Sequence, residues 1–379
     1  MSADDNSGQP DSPVQSGART PTAATATFAS GLRKLLILVA LLLVAVLVVV
    51  LWPQPPLVTN LIGHRKGVND ITFSSDGSLV ATASDDGTIR LWSVDGDLLK
   101  TITGHSERVS VVRFTPDDQK ILSASGKGKM RVWDVETGIE TMSLAGHDKS
   151  VGDMAFSSDG RQVASVAWDQ TIKVWDFFTG QALHTIDCSA VQECCVFTPD
   201  GKRLITGGTD HVIRLWDLAT RQHTTWEGHW GAVKALDISV DGDTVVSCSG
   251  DWTVRLWSLR DDAMLHIFRH TDKILGVTFS EDGLFVSACS KDGSVLTYDV
   301  LQRSNTAHFR TDLNSAVKVD AGRDGRFGVC GYPALACLWN LNHEPKLPEV
   351  SVEADVQDEP GLTEVSEGPQ QVDEFEARP

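Results

Sequence analysis

Between residues 57 and 342 short apolar runs alternate with polar turns, and the pattern recurs. The run Val68 to Phe73 is followed by Ser75-Asp76-Gly77, apolar Leu79 to Ala83, Asp85-Asp86-Gly87, and Thr88 to Trp92. A fourth run, Leu98 to Ile102, leads into the next unit. Runs of this length bounded by Gly, Asp, Ser and Pro predict strands joined by tight turns, four to each antiparallel sheet. Each unit closes on an aromatic: Trp92, Trp133, Trp175, Trp216, Trp257, Tyr298 and Trp339, at intervals of 41, 42, 41, 41, 41 and 41 residues. Spacing held that tightly marks an internal repeat.

One stretch breaks the pattern. Leu35 to Trp52 is 18 residues without a charge or a strongly polar side chain. A buried core helix of that length would be polar on one face, whereas this segment is apolar on all of them. It therefore predicts a membrane helix of ~27 Å, against a hydrocarbon core of ~30 Å. Arg33 and Lys34 stand at its start, and Trp52 and Pro53 at its end. The run is longer than a signal-peptide core and no Ala-x-Ala site follows, so an uncleaved anchor is expected. Arg19, Arg33 and Lys34 before it, against Arg65 and Lys66 after it, favour a cytoplasmic N-terminus and a large domain on the opposite side. The seven cysteines pull the other way. An odd number, mostly at strand-interior positions such as Cys248 and Cys289, predicts free buried thiols. No Asn-x-Ser/Thr acceptor occurs either.

Charge refines this layout. The chain carries 33 Lys+Arg and 51 Asp+Glu, a formal −18 with a pI near 4.9, which argues against nucleic-acid binding. Residues 343–379 alone hold eleven acidic and two basic residues. The expected organisation is a disordered tail (1–30), a membrane helix (31–52), a proline-rich linker (53–56), the repeat domain (57–342) and an acidic disordered tail (343–379).

The units also share a Gly-His pair, at Gly63-His64, Gly104-His105, Gly146-His147 and Gly228-His229, and Trp-Asp is complete at Trp133, Trp175 and Trp216. In these residues the chain resembles the WD-repeat family of β-propellers. The resemblance implies an all-β fold, a seven-bladed propeller of four-stranded antiparallel blades. It also implies that the spare run Leu57 to Ile62 completes the last blade, which supplies only three strands of its own. Departures are Cys188 for His in unit four, Tyr298 for Trp in unit six, and Asp312 and Pro333 in unit seven.

Recurrent His, Ser/Thr and Asp raise the question of a catalytic triad. His64, His147 and His229 each precede an Asp (Asp86, Asp169, Asp251) by 22 residues, and Thr82, Ser165 and Ser247 each precede Trp92, Trp175 and Trp257 by ten. A serine two residues later, such as Ser84 or Ser249, competes for the hydroxyl role. An enzyme needs one such set beside a cleft, not copies at the repeat period, so a structural network is expected and no catalysis. Cys194-Cys195 lacks zinc-site spacing, and Gly126 to Lys129 is no phosphate loop, so neither metal nor cofactor is expected. The family likeness instead directs attention to the face made by the Gly-His loops and second turns. There the sequence places Arg108, Trp168, Glu193, Trp230, Trp252 and an arc of Lys234, Lys273 and Lys291 suited to an acidic peptide. The expected function is a membrane-anchored scaffold, held by residues 35–52, that binds other proteins. The alternative is a propeller that binds a small ligand or acts catalytically through its central channel.

Overall fold

The computed structural model describes residues 57–323 and 325–340. These residues form 28 strands in seven four-stranded antiparallel sheets. Blade one is Val68–Phe73, Leu79–Ser84, Ile89–Ser93 and Leu98–Ile102, and blades two to six repeat that plan along the chain. Blade seven is different. Its inner three strands, Ser315–Ala321, Arg326–Tyr332 and Leu335–Asn340, are completed by Leu57–Ile62 from the other end of the repeat domain. Leu57 pairs with Trp339 and Ile62 with Leu335. This closure leaves no blade with an unpaired end to the ring.

The turn sequences explain the hairpins. In the first turn of blade one the Asp76 carboxylate accepts hydrogen bonds from Ser74 Oγ and the Ser78 N–H, while Gly77 takes φ +72°, where L side chains are strained. The Gly of the Gly-His pair has another cause. A Cβ on Gly104 or Gly146 would lie 2.7 or 2.9 Å from the rim of the closing Trp133 or Trp175. Glycine lets the loop lie down on the indole.

The buried apolar side chains fall into seven clusters, and each joins two neighbouring blades. The last sets Leu61, Val68, Ile71, Phe73 and Trp92 against Cys330, Ala336 and Leu338. The core is thus a ring of sandwiches between sheets. All seven cysteines are free, six of them buried among these clusters. Burial pushes their thiols upward, Cys248 to about 12.

A second set of contacts lines the central channel and lies outside the expected network. Asp70 accepts from the Val112 N–H (2.9 Å), Asp153 from Cys195 N–H (3.2 Å), Asp237 from Phe279 N–H (2.8 Å) and Asp320 from Phe73 N–H (2.9 Å). Each carboxylate of an odd blade therefore grips the next blade, and Asp320 grips blade one across the closure. Arg113 bridges Asp70 (2.6 Å) and Asp153 (2.5 Å). Burial pushes Asp237 up to about 6, against the lowering effect of the Phe279 and Ile238 N–H groups.

The predicted tails, the membrane helix at 31–52 and the linker at 53–56 lie outside the described residues. Among the described residues no helix is long and apolar enough to cross a membrane.

Candidate interaction surface

The polar network comes first, because it sets the loops that form the face. In blade one His64 Nδ1–H donates to Asp86 (3.0 Å), Thr82 Oγ1–H donates to His64 Nε2 (2.8 Å), and Trp92 Nε1–H donates to Thr82 (2.8 Å). Blade three repeats it with His147, Asp169, Ser165 and Trp175 at 2.9, 2.7 and 2.8 Å. Blade five does so with His229, Asp251, Ser247 and Trp257, each contact 2.8 Å. Every buried polar atom in such a chain has a partner. Burial lowers the pKa of all three histidines, outweighing the carboxylate beside each. The imidazoles are therefore neutral, with the tautomer set by Nδ1–H pointing at the carboxylate. At Asp86 burial acts to raise the pKa, but bonds from Thr88, the Arg65 N–H and His64 outweigh it and hold it well below the usual carboxylate range.

The competing serine has a separate job. Ser84 Oγ donates to the Gly67 carbonyl and Ser249 Oγ to the Gly231 carbonyl, which ties the second turn to the Gly-His loop. Blade two keeps His105, Ser123 and Trp133 without the Asp. Blade four, with Cys188 at the histidine position, recruits Gln192: Thr206 donates to its Oε1 (3.0 Å) and accepts from Trp216. Sequence reasoning missed Gln192. Its signal was an amide at the start of a strand whose equivalents are aliphatic.

On the face above this network the candidates divide. Trp168, Trp230 and Trp252 are 50, 87 and 49% exposed, whereas the closing aromatics are buried. Each occupies a loop position that other blades fill with small or polar residues: Asp85, Thr209 and Gly250 correspond to Trp168, and Ser106 and Asp148 to Trp230. Trp252 is the costliest. It adopts φ +69°, where Gly87, Gly128 and Gly293 stand in equivalent turns and the smaller Gln170 and His211 share the angle. A bulky residue there carries backbone strain of about 1 kcal/mol or more. Trp230 and Trp252 lie on either side of Asp251, whose carboxylate accepts the Trp230 N–H (3.0 Å).

Arg108 is exposed beside Ser150, donating to its Oγ at 3.5 Å, and the Ser150 carbonyl accepts the Trp168 N–H at 2.9 Å. The fold thus brings Arg108 of blade two and Trp168 of blade three to one place. The basic arc is smaller than expected. Lys234 pairs with Glu193 at 3.0 Å, so its charge is spent within the protein. Lys273 and Lys291 remain exposed and adjacent, the Lys291 N–H donating to the Lys273 carbonyl (2.8 Å). Tyr332 of blade seven, which sequence reasoning passed over, donates its one hydroxyl proton to Asp85 (2.9 Å), with Asn69 Oδ1 3.2 Å away, and joins the face across the closure.

Elsewhere, the channel polar groups are committed to joining blades around a space of about 220 Å³. Among the described residues no three His, Cys, Asp or Glu side chains are grouped to hold a metal.

The sequence profile of the family described as WD domain, G-beta repeat matches residues 55–93, 96–134, 138–176, 180–217, 220–258 and 263–299. The inner three strands of the seventh blade fall outside these six matches, in keeping with its lost motif residues, while its outer strand Leu57–Ile62 lies within the first. An uncharacterized WD repeat-containing protein of the cyanobacterium Synechocystis is 48% identical over 40 residues, which is 11% of this chain and 3% of that protein. The match therefore spans one repeat of a much longer relative.

Proposed function

The chain belongs to the WD-repeat family, whose propellers generally serve as protein-interaction scaffolds, and from that premise we propose that it is a membrane-anchored scaffold whose Gly-His loop face binds a partner protein. The observation that carries this reading is the exposure of three tryptophans at loop positions where the other blades use small or polar residues, one of them at a strained backbone angle. Exposed Trp beside Arg is the composition of an interface anchor, and no packing requirement of the repeat accounts for it.

The course of the chain supports an orientation. Leu57 lies at the end of blade seven opposite the Gly-His loops, beside Trp339, and the strand runs from there toward Gly63-His64. With residues 35–52 in the bilayer, the four-residue linker 53–56 spans only ~12 Å. The face opposite the loops is then the one nearer the membrane, across that gap, and the tryptophans point away from it. The flanking charges favour a cytoplasmic N-terminus and a propeller on the other side. Retention in the membrane pellet after a carbonate wash tests the anchor, and protease protection in sealed vesicles tests the side. Affinity capture from solubilised membranes tests the face. A partner retained by the wild-type protein should be lost with Trp168→Ala or Trp230→Ala; retention by both variants would overturn the assignment.

A further inference from the structure

The opposite face carries a feature that neither the repeat nor the loop surface explains. Between blades two and three a cleft of about 430 Å³ opens on the turn side, floored by Pro116, Met142, Phe177 and Phe178. Phe177 belongs to the core: it packs edge-on against Phe156 at 5.0 Å, and its equivalents Val94, Val135, Leu218, Leu259 and Val300 are all apolar. Phe178 does not. It is 72% exposed, and its equivalents are Asp95, Glu136, Ala219, Arg260 and Leu301. The repeat therefore does not require an apolar side chain there, and blade three has put an aromatic ring at the mouth of a cleft. Gly180 keeps the cleft in shape, since a Cβ at its φ of +70° would come 3.2 Å from the Met142 sulfur.

The rim is acidic. Asp117 and Asp159 line the cleft. Hydrogen bonds from Ser157 Oγ and the Arg161 N–H hold Asp159 below the usual carboxylate range, so it is charged at neutral pH. Asp134 and Asp176 stand on the adjoining turns and are likewise held low, by the Thr137 and Thr179 groups that bond them. The cations beside them are Lys120 and Lys100, which both face Asp134, and Arg161, which faces Asp159. Four carboxylates thus stand against three cations, and in the lining itself Asp117 and Asp159 stand against Lys120, around an apolar floor. A cleft of this size takes one large side chain with its flanking backbone.

We infer that this cleft is a second binding site, for a peptide segment that presents one large apolar side chain flanked by Lys or Arg. The apolar residue sits against Phe178 and Met142, and the basic residues meet Asp117 and Asp159. The site is independent of the loop face, which lies at the other end of the blades.

The test uses the full chain in detergent micelles and fluorescence polarisation of a labelled heptapeptide, Ala-Lys-Ala-Phe-Ala-Lys-Ala. Controls carry Glu for Lys, or Ala for Phe. The expected result is saturable binding of the first peptide, weakened at least about tenfold in either control, by Phe178→Ser, and by raised salt. Phe178→Leu should retain binding, which separates loss of the apolar contact from misfolding, and Trp168→Ala should leave it unchanged. Equal binding of the Lys and Glu peptides, or a Phe178→Ser affinity within about twofold of wild type, would overturn the inference. Loss of binding in Trp168→Ala would overturn it too, by moving the peptide to the loop face. A dimer that Phe178→Ser dissolves, without peptide binding, would assign the cleft to a second copy of the chain instead.

Discussion

Blade five and the two blades after it, six and seven, share one strand plan but differ in how they settle their buried polar atoms. Blade five runs His229, Asp251, Ser247 and Trp257 into a complete chain. Blade six has Ala288 where the hydroxyl belongs, and His270 Nε2 and Tyr298 Oη are buried without a partner among the described residues. Blade seven has Val329 there, and Trp339 Nε1 is likewise unpartnered. Aromatic packing takes over. Phe268 stacks on Tyr298 at 4.4 Å, and Phe309 and Phe327 flank Trp339 at 5.6 and 6.2 Å. The network is therefore one of two ways to fix a closing aromatic, and the blades without it depend more on apolar contact and on ring closure.

The largest effect should come from breaking what blade seven relies on. Deleting residues 57–62 removes its outer strand and buried Leu61, and should lower stability on the order of several kcal/mol. Thermal melting of the deleted and intact proteins checks it; a shift of only a degree or two would mean that the strand does not carry closure.

Next in size is the exchange of the hydroxyl itself. Ser247→Ala strands His229 Nε2 and Trp257 Nε1 in a dry site and should cost about 1–3 kcal/mol. The reverse change, Ala288→Ser, offers His270 and Tyr298 the missing hydroxyl and should add up to about 1 kcal/mol. Urea denaturation of both variants measures the pair. If Ser247→Ala is neutral, the network contributes no stability even where it is complete.

Titration extends the comparison. Burial lowers His229, and pushes His270, which lacks the Asp bond, to about 4. An unfolded chain takes up protons on these groups near pH 6.5 while the folded one resists, so the unfolded state binds more protons below that pH. Stability should hold above about pH 6.5 and fall as pH drops through the window between 6.5 and 4. His270→Phe should flatten that slope. An unchanged slope in urea midpoints between pH 7.5 and 5 would show that His270 is not a source of it.

Most of this architecture was legible because the repeat prints it at a fixed interval. The closing aromatics follow from spacing, and the closing role of Leu57–Ile62 and the three complete networks from the family resemblance that those residues carry. The contacts between units were not legible. The Asp70, Asp153, Asp237 and Asp320 grips reach the next blade and depend on which face of an inner strand looks into the channel. Their one trace in the sequence is a carboxylate inside an apolar run. The Lys234–Glu193 pair was hidden for the same reason, because residues 41 positions apart become neighbours only when the ring forms.

The smallest expected change bears on what blade five does with its surplus of order. Its second turn holds Trp252 at φ +69°, a conformation that Gly293 occupies without strain in blade six. Replacing Trp252 with glycine removes the Cβ conflict, worth about 1–2 kcal/mol, but gives the unfolded chain more freedom, worth about 0.4–1 kcal/mol in the other direction. The ring is half exposed and contributes only part of its apolar area to packing. Trp252→Gly should therefore leave the protein equally stable or more stable, by up to about 1 kcal/mol, while weakening partner capture. That combination distinguishes a side chain kept for binding from one kept for the fold. Trp257→Ala, in the buried core of the same blade, should cost about 3–5 kcal/mol. If Trp252→Gly destabilises the protein by a comparable amount, the indole is packing against its own loops, and blade five contributes no anchor to the binding face.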